Sequence, residues 1–274
     1  MSSAWHEPES TRAPLGMPGI TRVVKGLLIA NVAVFVLHWV LLSGWFQGAF
    51  DLVSDVLALN PAQWLSPLVP LWQLVTYGFL HGGPTHILYN LLLLYFFGTA
   101  LESELGARRF LVFYLVALAV AGLCQLVLGL ALGQLAPIVG ASGGVLAVVC
   151  ALATLRPGMR ILFIVVPMTL RTMALIIVAI DLFGALAQLK GQASNVASFA
   201  HLSGALLGFL AVRRRWLWAD PLSRLDAWRE HRADERRVDD EQRLDELLVK
   251  IEREGIHSLS AGEKAFLKRV SKRN

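Results

Sequence analysis

The sequence predicts an all-α membrane protein: a bundle of six transmembrane helices followed by a cytoplasmic helical tail. Three observations predict it. Of 274 residues, 55% are hydrophobic and only 16% charged, where a soluble domain carries about 25%; the mean hydropathy is +0.57. The apolar residues gather into separate runs, each long enough or nearly long enough to cross ~30 Å of hydrocarbon. Lys and Arg fall at alternate ends of those runs.

The elements follow in order. Residues 1–20 are polar and rich in Pro and Gly, and read as a disordered cytoplasmic N-terminus. The apolar run after them is too long for a signal-peptide core and precedes no clear A-x-A cleavage site, so it reads as a first span that stays. Within a membrane domain of residues 21–215, spans are expected at 23–42, 85–104, 109–133, 142–155, 172–190 and 197–213. Segment 43–84 holds Trp45, Trp64 and Trp72, which suit an interfacial aromatic belt. Pro61, Pro67 and Pro70 break it, so it is expected to lie in or on the outer leaflet.

Arg12, Arg22 and Lys25 precede the first span. Arg108 and Arg109 lie between the second and third, and Arg156, Arg160 and Arg171 between the fourth and fifth. Arg213, Arg214 and Arg215 follow the sixth, and the opposite side carries only Lys190. The positive-inside rule puts both termini in the cytoplasm. The net charge of +5 comes from residues that flank apolar segments or sit in the tail, so the expected partner is the bilayer and not nucleic acid. Cys124 and Cys150 lie in apolar helices and read as small core residues; no disulfide framework or CxxC pair is present. The tail, residues 216–274, places Leu244, Leu247, Leu248 and Ile251 at helical spacing. Gly255 ends that helix, and Ser260 and Glu263 read as a capping box opening a last helix to about Ser271.

Two fragments carry chemistry: Gly140-Ala141-Ser142-Gly143-Gly144 and Ala200-His201-Leu202-Ser203-Gly204. A serine on a small-residue turn and a histidine on an apolar helix are the parts of a nucleophile and its base. At 1.5 Å per residue, Ser142 lies ~21 Å above the cytoplasmic interface, His201 ~18 Å, Asn90 ~21 Å and His86 ~27 Å. Residues from three helices thus share one layer, which argues that they meet. The Ser142 N–H is a first-turn donor without an intrahelical partner. With the His86 ring and the Asn90 amide it offers donors for an oxyanion. Gly140, Gly143 and Gly144 allow close approach. Gly204 and Gly208 form a small-xxx-small face that matches Gly143, Ala147 and Ala151 on the fourth span. Packing of those faces is expected to bring Ser142 to His201.

These residues resemble those of the rhomboid intramembrane serine proteases. The resemblance covers about residues 20–213. It rests on Trp72, His81-(x4)-His86-(x3)-Asn90, Gly98-(x3)-Glu102-(x3)-Gly106, Gly140-x-Ser142-Gly143 and Ala200-His201-(x2)-Gly204-(x3)-Gly208. It implies a six-helix core and a Ser142–His201 dyad without a third carboxylate. It also implies an oxyanion site of His86, Asn90 and the Ser142 N–H, no cofactor or metal, and substrates that are single-pass transmembrane proteins. The fifth span and the loop before the sixth would form a lateral gate. The helical tail resembles those of some bacterial members, and the implied location is a bacterial inner membrane. Two positions depart from the family: Gln73 follows Trp72 where the family often has Arg, and Leu146 stands where it often has an aromatic residue packed on the histidine.

Other polar residues are read more plainly. Asp181, near the middle of the fifth span, counts ~5–8 Å deeper than Ser142 and is expected to hydrogen-bond a neighbouring helix, not to complete a triad. His81 is expected to anchor its loop by hydrogen bonding, and His38 to be structural. A zinc site of His81, His86 and His201 lacks a carboxylate or Cys to complete it. The alternative function is a catalytically silent rhomboid-like protein that binds membrane clients for quality control. A transporter would show repeats or a continuous polar path, and the sequence has neither.

Overall fold

The computed structural model describes residues 19–42, 47–163, 165–192, 196–219 and 223–271. Residues 1–18, where the disordered N-terminus is expected, and Trp45 lie outside them. The chain divides into two compact units, one ending at Ala219 and one beginning at Asp220.

In the first unit, α1 (Arg22–Leu42) opens on a buried carboxylate. Glu102 accepts from Val23 N–H at 3.0 Å and Val24 N–H at 2.8 Å, and from the Thr21 hydroxyl. A negative side chain there satisfies first-turn donors and complements the helix dipole. The Glu102 of the sequence motif therefore ties α1 to the end of the next span. A short amphipathic helix, α2 (Gln47–Leu57), follows. The segment after it exposes Leu65, Leu68, Leu71 and Trp72, as an interfacial loop would.

Next come α3 (Pro84–Leu105) and α4 (Ala107–Ala131). Pro84 starts α3, where its missing N–H costs nothing. One wide π turn interrupts α3 at Leu94–Gly98. Gly106, at φ +80°, makes the turn into α4. At the centre stands α5 (Ser142–Leu155), every residue of which from Gly143 to Ala153 is buried. A helix apolar on all sides belongs inside. A hairpin of β1 (Arg160–Phe163) and β2 (Val166–Thr169) pairs Arg160 with Thr169 and Phe163 with Val166. It adds a small β element to the all-α reading. Thr169 then caps α6 (Leu170–Leu189) by accepting from Thr172 N–H at 3.1 Å. The last helix of this unit is α7 (Ser198–Arg213).

Among the described residues, α3, α4 and α6 are long and apolar enough to cross a membrane. The 14-residue α5 and 16-residue α7 are shorter. The shortfall is informative, since α5 spans only ~21 Å at 1.5 Å per residue. Its first residue is Ser142, so the irregular chain before it lies at membrane depth. Such backbone is tolerated only where protein buries it or water reaches it. Here the Leu59 and Ile138 backbones exchange hydrogen bonds of 3.1 and 2.9 Å, and Gly140 N–H donates to Tyr77 O at 3.0 Å. The interfacial segment thus holds the turn from which α5 starts.

The second unit is a helical hairpin, α8 (Ser223–Glu254) and α9 (Ala261–Ser271). Leu247, Leu259 and Phe266 form its core. Gly255, at φ +82°, ends α8, and the capping box is formed: Glu263 N–H donates to Ser260 Oγ at 3.3 Å, and Ser260 N–H to Glu263 Oε2 at 2.6 Å.

Candidate active site

α5 and α7 meet backbone to backbone. A Cβ on Gly204 would collide with the Gly143 carbonyl, and one on Gly208 with that of Ala147. This approach sets Ser142, the first residue of α5, beside His201, in the first turn of α7. Ser142 Oγ and His201 Nε2 are 2.7 Å apart. Gln125 of α4, which the sequence reading overlooked, fixes the start of α7: its Oε1 accepts from Ala200 N–H at 3.2 Å. A buried glutamine in an apolar helix was the available signal, since such a group needs a partner.

The other ring nitrogen of His201 is also engaged. His201 Nδ1 lies 2.8 Å from Asp181 Oδ1, and the two side chains are 16% and 7% exposed. The expectation that Asp181 bonds a neighbouring helix without joining the site is corrected: its partner on α7 is the site histidine. The difference is one of depth: α6 starts at Leu170, two residues before the expected span at 172. Counted from Leu170, Asp181 lies ~16 Å up, level with His201.

His86 lies across the turn from Ser142. A Cβ on Gly140 would fall 2.7 Å from His86 Cε1 and 2.8 Å from Nε2, and Gly140 holds φ +128°. Only glycine allows both. Gly82 N–H donates to His86 Nδ1 at 3.4 Å. In a neutral ring that leaves the proton on Nε2, facing the turn. Asn90 is buried one turn on and donates one amide hydrogen to His86 O at 3.0 Å, keeping a second. His81, expected to anchor its loop, is buried; its ring lies against the Phe79 backbone and packs edge-on against His86, centroids 5.1 Å apart. Burial, and then the neighbouring His86, push its imidazole down to about 4, so it stays neutral. His38 Nε2 lies 3.2 Å from Ser54 Oγ, joining α1 to α2.

Gln73 takes over the loop position where Arg is common in the resembling family. It is fully buried. Its Nε2 donates to Asp55 O at 2.9 Å and Gln63 Oε1 at 2.7 Å. Its Oε1 accepts from Asn60 N–H at 3.1 Å and Trp64 Nε1–H at 3.3 Å. Leu146 is buried at the cavity wall and offers His201 no aromatic face.

Ser142, His201, Asp181, His86, Asn90 and Gln125 all line one cavity of about 950 Å³. It joins a hydroxyl, an imidazole in contact with it, and hydrogen-bond donors grouped on the other side. That arrangement can activate the hydroxyl for attack on a carbonyl and stabilise the resulting oxyanion.

Comparison with known proteins identifies the family. The model of the rhomboid domain matches residues 70–216. A family of unknown function (DUF6576) matches residues 230–273. The chain is 29% identical over 219 residues to the presenilin-associated rhomboid-like protein, mitochondrial, of Bos taurus, covering 77% of this chain and 54% of that protein. The Homo sapiens counterpart is likewise 29% identical, covering 77% and 53%. Rhomboid protease GluP of Bacillus subtilis is 32% identical over 142 residues, covering 52% of this chain and 25% of that protein. The chain thus spans about half the length of the mitochondrial relatives it matches.

Proposed function

The chain belongs to the rhomboid family, and from that premise we propose that it is an intramembrane serine endopeptidase cleaving transmembrane segments of other membrane proteins. The observation that carries the proposal is the 2.7 Å contact between Ser142 Oγ and His201 Nε2 inside a cavity of about 950 Å³. In the proposed reaction, the Ser142 proton passes to His201 Nε2 as Oγ bonds to the scissile carbonyl carbon. The carbonyl electron pair moves onto oxygen, which is met by the Ser142 N–H, His86 Nε2–H and the second Asn90 amide hydrogen. Collapse breaks the C–N bond, and His201 returns the proton to the leaving amine. Water, deprotonated by His201, then hydrolyses the acyl-enzyme. A substrate helix must unwind locally first, because its carbonyls are engaged in i→i+4 bonds. Among the long spans α6 is the least covered, with 28% of its apolar window buried; α6 and the loop before α7 are the proposed way in.

The protein is a multi-pass membrane protein. We place both termini on its positive, cytoplasmic side, and propose a bacterial inner membrane as its location. Relatives with mitochondrial names and one from Bacillus subtilis make localisation of a tagged full chain the direct check. The rhomboid-like names of the mitochondrial relatives support a second reading, a catalytically silent binder of membrane clients. One assay separates the two: purified chain with a fluorogenic transmembrane substrate, wild type against Ser142→Ala and His201→Ala. Cleavage by wild type alone is expected, together with fluorophosphonate labelling lost in Ser142→Ala. Equal signals from all three end the protease reading.

A further inference from the structure

We propose that Asp181 is a positioning residue for catalysis, making the site a Ser142–His201–Asp181 relay in place of a two-residue dyad. The proposal rests on the protease reading and deepens it.

A neutral imidazole carries one N–H and one bare nitrogen. His201 touches a hydroxyl through Nε2 at 2.7 Å and a carboxylate oxygen through Nδ1 at 2.8 Å. An ionised carboxylate only accepts, so the proton sits on Nδ1 and Nε2 is left to accept from Ser142 Oγ–H. The reverse tautomer would set a bare nitrogen against a carboxylate oxygen and an N–H against the group it must deprotonate. Asp181 thus selects the one tautomer in which His201 can act as base. It also opposes the charge that His201 gains when Ser142 attacks, without itself taking a proton.

Three further observations support the assignment. Asp181 is buried and is the one acidic residue of α6, in a membrane span where an ionisable group needs a reason to persist. Leu146 gives His201 no aromatic face, so the Nδ1 bond adds a hold on the imidazole beside its Nε2 contact with Ser142. The other titratable side chains lining the cavity among the described residues are His86 and Tyr89, and neither is an acceptor at Nδ1.

The test compares the full chain as wild type, Asp181→Asn, Asp181→Glu and Ser142→Ala, reading cleavage kinetics and the ¹⁵N spectrum of labelled histidine in detergent. Asp181→Asn is expected to lower kcat roughly 10²- to 10⁴-fold with KM nearly unchanged. Asp181→Glu should recover part of that loss. In the spectrum, His201 of wild type and of Ser142→Ala should carry its proton on Nδ1, and Asp181→Asn should lose that preference. Asp181→Asn with wild-type kcat, or a lowered melting temperature with kcat intact, overturns the proposal. So does a His201 tautomer that ignores the substitution, whether or not the chain cleaves anything. Failure of the protease reading shows separately, as wild type no more active than Ser142→Ala.

Discussion

His86 and Asn90 share one face of α3 but are not equivalent donors. Gly82 N–H at His86 Nδ1 commits the imidazole to presenting Nε2–H toward the Ser142 turn. Asn90 has spent one of its two amide hydrogens on His86 O. His86→Ala is therefore expected to lower kcat by ~10²–10³, and Asn90→Ala by less, with KM little changed in either. A raised KM at constant kcat would mean that these groups bind substrate and do not meet the oxyanion. At this scale the sequence announced the residues whose type and local spacing are diagnostic: a serine on a glycine turn, a histidine at Ala200-His201-(x2)-Gly204, and an i, i+4 pair. Asp181 and Gln125 lack such context. Each is an isolated polar residue in a long apolar stretch, and its partner lies on another helix 20 and 75 residues away respectively. Their roles depend on relative helix depth, and an error of two residues in a helix start hides the match.

At the scale of elements, the site is a product of how closely α5 and α7 approach. Lipid is as apolar as the helices, so packing and not water exclusion holds them together. The small faces at Gly143/Gly204 and Ala147/Gly208 let backbone touch backbone. Gly204→Ala puts a methyl into the Gly143 carbonyl, an obstacle that cannot rotate away. Overpacking of this kind costs about 1–3 kcal/mol, and displacing His201 by about an ångström costs on the order of 10²-fold in rate. The variant should melt lower and cleave far more slowly. Gly26→Ala in α1 is the matched control: a Cβ there meets nothing within 4 Å, and the change should stabilise the helix slightly. Equal melting and cleavage for the two variants would refute the close-packing account. The glycine pattern made this contact readable from sequence. The β1–β2 hairpin was not readable, because four-residue strands are too short for alternation to register. The Gln73 network was hidden too, since two of its four partners are backbone groups and all four meet it only once the segment has folded.

At the scale of the whole molecule, the two units have separate cores, one around α5 and one around Leu247, Leu259 and Phe266. The tail should respond to acid. In the tail, the Ser260 N–H donated to Glu263, followed by Lys250 at 3.0 Å, lowers the Glu263 carboxyl from an ordinary 4.5 to about 2. A carboxyl with a depressed folded pKa binds fewer protons folded than unfolded below its ordinary value, so stability rises with pH across that window. The capping contribution is complete above about 4.5 and disappears as pH falls toward about 2. Circular dichroism of the full chain should therefore show the tail's transition moving to lower temperature between pH 5 and pH 2, with roughly half of the shift in place at about pH 3, midway between the ordinary and the lowered pKa. Ser260→Ala removes the hydroxyl half of the box and leaves the backbone donor, so it should shrink that shift without abolishing it. Glu263→Gln should remove the part of the acid dependence that the cap supplies and lower the tail's melting at pH 5 toward the wild-type value at low pH. A tail whose melting temperature is the same at pH 5 and pH 2 would mean that the cap contributes nothing to the hairpin.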